Sequence, residues 1–307
     1  MKRAIVTGVT GTIGTALIEE LVKHGIEVLV LCRENSGRNE RIPKHPLVTL
    51  KHCALEELSS LNNDTGKTYD VFYHLAWSGT TGQARNDMYL QNQNVRYALD
   101  AVGVASRFGC SLFIGAGSQA EYGRVEGMLK PDTPAFPEMG YGYGKLCAGL
   151  MTRDYAHQIG LKHIWCRILS IYGPNDGLQS LVMSVMNALY QGEIPKCTKG
   201  EQQWDYLYSK DAAKAFRLIA EKGTDGRTYV LGSGKTQPLS YYIQAICDTV
   251  QPGSTADFGA IPYSPKQVMY LCADTAVLKE DTGFEPEYSF AEGIRETTQW
   301  FKEKYTK

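Results

Sequence analysis

Thr7-Gly8-Val9-Thr10-Gly11-Thr12-Ile13-Gly14 follows the apolar run Ala4-Ile5-Val6 and leads into Ala16, Leu17, Leu21 and Val22, which recur at helical spacing. The stretch reads as a strand at 4–7, a tight turn and a helix at 14–23, with Gly25 suited to the helix C-terminal cap. Glycine permits a sharp turn and a close approach of backbone to ligand. The unpaired N–H groups and positive end of the following helix then face an anion. The spacing is G-x-x-G-x-x-G, one residue longer than the usual dinucleotide fingerprint. Three glycines alone would fit a simple tight connection. At the first strand-to-helix turn they point to a dinucleotide pyrophosphate.

Working outward, short apolar strands are expected at 28–31, 48–50, 71–75, 111–114 and 163–168. Helices are expected at 87–108 and 144–159. This alternation predicts an α/β chain with a Rossmann-type, doubly wound parallel sheet covered on both faces. After Ile168 the rhythm changes. The turn Tyr172-Gly173-Pro174-Asn175 precedes an amphipathic helix near 178–191, an aromatic strand around 204–209, a helix near 211–222 and a strand at 228–231. Helices near 239–250 and 291–304 close the chain. The expected organisation is a dinucleotide-binding domain over 1–170, with returning elements near 205–232. A smaller substrate-binding region is expected over 171–204 and 233–307.

Composition narrows the function. Among 307 residues, 32 Lys+Arg balance 33 Asp+Glu for a formal charge of −1. Global charge therefore supports neither nucleic-acid nor membrane-surface binding. The eight cysteines are scattered without a C-x-x-C pair, several inside apolar runs, which predicts free thiols in a reducing compartment. Thr7, Gly8, Thr10 and Gly11 break the first apolar stretch, so it reads as neither signal peptide nor membrane span, and a cytoplasmic location is expected. The six histidines show no ligand spacing, and no metal is expected.

Two further patterns carry chemistry. The second strand ends Leu31-Cys32-Arg33-Glu34, with Arg38 nearby. A carboxylate at that end would bind the adenosine ribose, whereas an Arg favours a 2′-phosphate. With Cys32 where an Asp would stand and Arg33 after it, NADP(H) is preferred; Glu34 leaves NAD(H) open. In Tyr141-Gly142-Tyr143-Gly144-Lys145, a phenol and an ammonium stand four residues apart. If a helix starts near Tyr141 they share one face, and the cation can stabilise a phenolate that exchanges protons with a carbonyl or carbinol. The competitor Tyr143 lies two residues from Lys145 and so points elsewhere. Ser118, just beyond the fifth strand, can donate to the reacting oxygen.

With these residues the chain resembles an extended short-chain dehydrogenase/reductase of the nucleotide-sugar epimerase/dehydratase/reductase group. The matching motifs are TGVTGTIG at 7–14, HLAW at 74–77, Asn94-Val95, GSQAEYG at 117–123, YGYGK at 141–145, RILSIYGP at 167–174, WDYLYSKDAA at 204–213 and the closing GFEP…EGI…W at 283–300. The resemblance covers essentially the whole chain. It implies a pyrophosphate cradle of Gly8, Gly11 and Gly14 with Thr10, Thr12 and Ile13. Arg33 would sit at the adenosine ribose, Leu75 and Ala76 would line the groove, and Ser118, Tyr141 and Lys145 would be catalytic, with Tyr141 and Lys145 also contacting the cofactor. Trp77, Ser118, Ser170 and Trp204 would border a nucleotide-sugar substrate, and the helices 87–108 and 141–159 would pair across a homodimer.

Departures from the family pattern refine this expectation. Many relatives carry Asn where this chain has Ser170 and Arg where it has Trp204, and dehydratases commonly place an acidic pair where Gln119 and Ala120 stand. The expected activity is thus NADP(H)-dependent reduction of the 4-keto group of a nucleotide-linked 4-keto-6-deoxy sugar. An NAD-dependent 4-epimerase is the alternative within the family, and a non-catalytic dinucleotide sensor the alternative outside it.

Overall fold

The first strand, β1 (Arg3–Thr7), has Ala4, Ile5 and Val6 fully buried, because helices cover both faces of its sheet. The computed structural model describes residues 1–306. In it, β1 pairs in parallel with β2 (Glu27–Cys32) on one side and β4 (Val71–His74) on the other. Beyond β2 lies β3 (Val48–His52); beyond β4 lie β5 (Leu112–Ser118), β6 (Lys162–Ile168) and the strand Thr228–Leu231. All seven strands are parallel. The chain leaves β1 toward β2 and β3, then crosses back to β4. The strand order therefore reverses at β1, opening a crevice at the carboxyl ends of β1 and β4.

Period-two alternation divides the core. Ala4, Val6, Val28 and Val30 pack under α1 (Thr12–Lys23) and α5 (Ser209–Lys222). Ile5, Leu29, Phe72 and Phe113 pack under α2 (Met88–Arg107) and α3 (Gly140–Gln158). A third cluster, including Met183, Met186, Tyr242, Ile246 and Phe301, joins α4 (Leu181–Tyr190), α6 (Leu239–Val250) and α8 (Phe290–Tyr305). Among the described residues, no helix is long and apolar enough to cross a membrane. All eight cysteines are free, and all but Cys147 are buried.

Several expected bounds shift. Helix α1 begins at Thr12, because Gly11 already occupies its N-cap. Helix α3 begins at Gly140, four residues before the start that its apolar pattern gives and one before the start that a shared Tyr141–Lys145 face requires. Strand β5 runs on to Ser118, so this serine ends the strand instead of following it. The aromatic strand around 204–209 is two short strands, Gln203–Trp204 and Tyr206–Tyr208, with a break at the buried Asp205. Helix α7 (Ala276–Thr282) was not expected; seven residues are too few to show a helical period.

Candidate active site

The glycine turn is tight for reasons internal to the chain. Gly8 has φ +73°, and a Cβ there would lie 2.6 Å from the Leu75 carbonyl carbon and 2.7 Å from the Ala76 nitrogen. A Cβ on Gly14 would strike the Gly8 carbonyl oxygen. Gly11 differs: a Cβ there would meet no heavy atom closer than 3.6 Å. Its bareness serves the groove above it. Gly11 caps α1 without a side-chain hydrogen bond, and the first turn of α1 holds no acidic residue. The helix thus presents free N–H groups and an uncompensated positive end to that groove.

The groove has two continuous segments sharing Gly8, Gly11, Leu75 and Trp77. The larger, about 670 Å³, runs along the ends of β1 and β2 and is lined by Thr10, Arg33, Arg38 and Ala76. The other, about 340 Å³, is lined by Thr12, Ile13, Gly14, Ser118, Tyr141 and Lys145. Every residue expected to hold a dinucleotide therefore faces one cleft, and the bare cradle at Gly11 fits a pyrophosphate.

At the far end, α3 brings Tyr141 and Lys145 together as a four-residue spacing dictates. The Lys145 Nζ is 5.8 Å from the centroid of the Tyr141 ring, while Tyr143 is half exposed on another face. Lys145 is buried, donates to the Ala116 carbonyl at 2.6 Å, and lies 3.9 Å from the centroid of a Trp77 ring. Burial drives its pKa down to about 7, opposed by the charge of Glu121. Tyr141 departs from the expected lowering. Burial holds its phenol above the ordinary value, while a hydrogen bond with Ser118 and the charge of Arg85 pull the other way.

Trp77 turns its edge or face to Tyr141 in a T-shaped contact at 6.3 Å and donates to Gln91 Oε1 at 2.7 Å. Ser170 and Trp204 meet each other: the indole N–H donates to Ser170 Oγ at 2.8 Å, and neither residue lines the two groove segments.

Three site residues escaped the sequence reading. The Arg85 guanidinium sits 4.4 Å from the Tyr141 ring centroid. Its neighbour Asn86 accepts the Gly140 N–H at 3.0 Å and so latches the loop to the first turn of α3. Asp176 lines the segment holding Ser118 and Tyr141; burial raises its pKa, against hydrogen bonds from Ser180 and the Gly177 amide. Glu121 lies fully buried behind Ser118. Arg85 sits in the short 3₁₀ helix Gly82–Asn86 and Asp176 in a loop; neither segment shows a period, and a charged residue there ordinarily signals solvent, so only Glu121, inside the GSQAEYG motif, carries a sequence signal.

CDP-abequose synthase of Salmonella typhimurium is 22% identical over 95% of this chain and 96% of its own length. UDP-glucuronate 4-epimerase of Thermodesulfobacterium geofontis is 26% identical over 97% of this chain and 96% of its own. Among solved structures, UDP-N-acetylglucosamine 4-epimerase of Methanobrevibacter ruminantium, in complex with UDP-N-acetylmuramic acid, superposes with a TM-score of 0.88. It is 25% identical, with 98% of each chain covered. The model of the NAD dependent epimerase/dehydratase family matches residues 4–232, from β1 through the last strand of the sheet. With that match across most of the chain, the protein belongs to the NAD dependent epimerase/dehydratase family and is an enzyme of that kind.

Proposed function

We propose that the protein is an NADP(H)-dependent reductase of the 4-keto group of a nucleotide-linked 4-keto-6-deoxy sugar. The observation that carries this reading is the pair Arg33 and Arg38 on the groove wall beyond β2, a wall that Glu56 also lines and Glu34 does not. Two guanidinium groups suit a 2′-phosphate, and a carboxylate suits a ribose diol. Gln119 and Ala120 after Ser118 offer no acid–base pair for removing water from a sugar. The alignment with a protein named CDP-abequose synthase, over nearly the whole of both chains, supports a sugar-nucleotide product.

When bound, the nicotinamide supplies the hydride. Tyr141, its pKa held up by burial, keeps its proton at neutral pH and releases it to the carbonyl oxygen as charge develops there. Ser118 orients that oxygen from the end of β5. Lys145, on the next helical turn, supplies positive charge beside the phenol. Gly8, Gly11 and Gly14 with Thr10, Thr12 and Ile13 would hold the dinucleotide, and Leu75 and Ala76 would line its groove.

Half-exposed Leu150 and Met151 on α3 and exposed Met88 and Tyr89 on α2 support a homodimer through these helices. Mass measurement in solution checks this, with Leu150→Glu/Met151→Glu expected to yield monomers. The activity test is stoichiometric NADPH consumption on adding a nucleotide-linked 4-keto-6-deoxy sugar; absence of turnover with every such ketosugar would sink the reading. A 4-epimerase is the second reading, favoured by the UDP-glucuronate 4-epimerase alignment. NAD retained through purification would select it, since an epimerase re-reduces the carbon it oxidised.

A further inference from the structure

Behind Ser118 lies a closed polar cluster that the proposed chemistry does not itself use. Glu121, with no exposed surface, accepts the Ser118 N–H at 2.8 Å and the Trp165 indole N–H at 3.0 Å on one carboxylate oxygen. The other oxygen accepts Arg167 Nε at 2.7 Å. The Arg167 guanidinium, also buried, lies 4.4 Å from the Tyr122 ring centroid.

Trp165 is clamped in turn: a Cβ on Gly115, Gly117 or Gly149 would collide with its indole. The three glycines admit the indole, the indole N–H fixes the carboxylate, and the carboxylate fixes the backbone at the last residue of β5. That residue carries the hydroxyl facing Tyr141. A buried charge needs full hydrogen bonding to be tolerated, and this one has it from three donors. An apolar side chain would pack here without any such network, so the carboxylate calls for another reason.

Position supplies one. Around Lys145 stand Tyr141 on its own helix, Trp77 after β4, the Ala116 carbonyl of β5 and the neutral His74 of β4. Arg85 lies across the Tyr141 ring. The charge of Glu121 opposes the burial that would discharge the ammonium.

We propose that Glu121 is a positioning residue of the Ser118–Tyr141–Lys145 centre: one carboxylate oxygen fixes the backbone of Ser118, and the buried negative charge favours the ammonium form of Lys145. This rests on the reading of that trio as the reaction centre.

Two double variants separate the roles. Glu121→Gln/Arg167→Gln removes both charges and keeps an amide acceptor for Ser118 and Trp165. Glu121→Val/Arg167→Met removes the acceptor as well. Neither leaves a lone buried charge, and thermal unfolding shows whether each is folded. Lysine NMR titration of the full chain, with and without NADPH, reads Lys145 directly; the resonance absent from Lys145→Met identifies it. Both double variants are expected to titrate Lys145 at lower pH than the parent, and the alkaline limb of kcat moves with it. The Val/Met variant is expected to lose a further tenfold to hundredfold in kcat, roughly the penalty for a displaced catalytic group, with NADPH affinity unchanged. An unmoved Lys145 titration in the Gln/Gln variant overturns the electrostatic role, and parental kcat in the Val/Met variant overturns the anchoring role. Should the parent reduce no ketosugar, the function proposed above fails on its own, while the NMR titration still decides the electrostatic role of Glu121.

Discussion

At the glycine turn, geometry comes from backbone, that of eight consecutive residues and of Leu75 and Ala76 after β4; around Ser118 it comes from side chains on β5, β6, α3 and the connections between them that meet only in the folded chain. Gly8 and Gly14 are bare because neighbouring backbone fills the space, and Gly11 is bare toward the groove. At the other end, Trp165, Arg167 and Glu121 lock the backbone of Ser118, while Arg85 and Trp77 flank Tyr141. The first construction serves any dinucleotide. The second, the proposed reaction centre, holds a buried lysine and a buried ion pair, both costly to desolvate.

The sharpest break in the comparison is Tyr141→Phe. It removes one oxygen from the centre and nothing from the cradle. We expect kcat to fall by about 10²–10⁴-fold, the usual contribution of a positioned acid, with NADPH still bound and the fold retained. Residual turnover within tenfold of the parent would place the proton donor elsewhere.

Lys145 gives the next largest effect, through pH. Its folded pKa, about 7, lies below the ordinary lysine value of 10.5, the reverse of a paired surface lysine. Below pH 7 both folded and unfolded chains carry the charge, and the burial penalty is fully present. Between 7 and 10.5 the unfolded chain binds more protons, so stability rises with pH, by up to about 1.4 kcal/mol per unit. Lys145→Met lacks this contribution and should gain most over the parent at pH 6 and least at pH 9 in urea unfolding. Equal gains at both pH values would mean that the ammonium is solvated.

Why these two ends differed in legibility is visible in the same residues. The cradle is readable because strand, glycines and helix follow one another, although the Leu75 and Ala76 backbone that forbids a Cβ on Gly8 is a tertiary neighbour. The start of α3 was misread because Gly140, Gly142 and Gly144 argue against a helix. Their cause is tertiary: a Cβ on Gly142 would strike the Ala120 carbonyl, and one on Gly144 would crowd Gln91 and Trp77. The end of β5 was lost similarly, because Gly115 and Gly117 are poor strand formers that make room for an indole from β6. The mutual bond of Ser170 and Trp204 joins residues 34 apart, a pairing that no spacing rule announces.

Paired alanine substitutions test the claim that the cradle is two-sided. Gly8→Ala forces a left-handed φ on a residue with a Cβ and drives it into Leu75, and should cost about 1–3 kcal/mol of stability. Gly11→Ala meets nothing closer than 3.6 Å and should change stability by less than about 1 kcal/mol. It should instead weaken NADPH binding, measured by calorimetry, because its methyl group enters the space reserved for phosphate. Comparable unfolding penalties for the two variants would show that Gly11 is bare for the chain's own packing.

The smallest effect belongs to the one place where the dinucleotide end of the groove exercises choice. Nothing in the cradle distinguishes NADH from NADPH, since both carry the same pyrophosphate. Under the proposed reading the distinction would rest on Arg33 and Arg38 at the lip beyond β2, both solvent-exposed and without a carboxylate partner among the ion pairs of the described residues. An exposed cation facing a phosphate is screened by water and salt, so its contribution is modest. Arg33→Ser should therefore reduce the preference for NADPH over NADH by about tenfold, equivalent to about 1.4 kcal/mol, and less at high ionic strength. Affinity for NADH should barely move, because the cradle that holds it is untouched. Were NADPH and NADH to weaken together, Arg33 would be binding the shared part of the dinucleotide. The lip would then be a second cradle, and the case for a 2′-phosphate would pass to Arg38 alone.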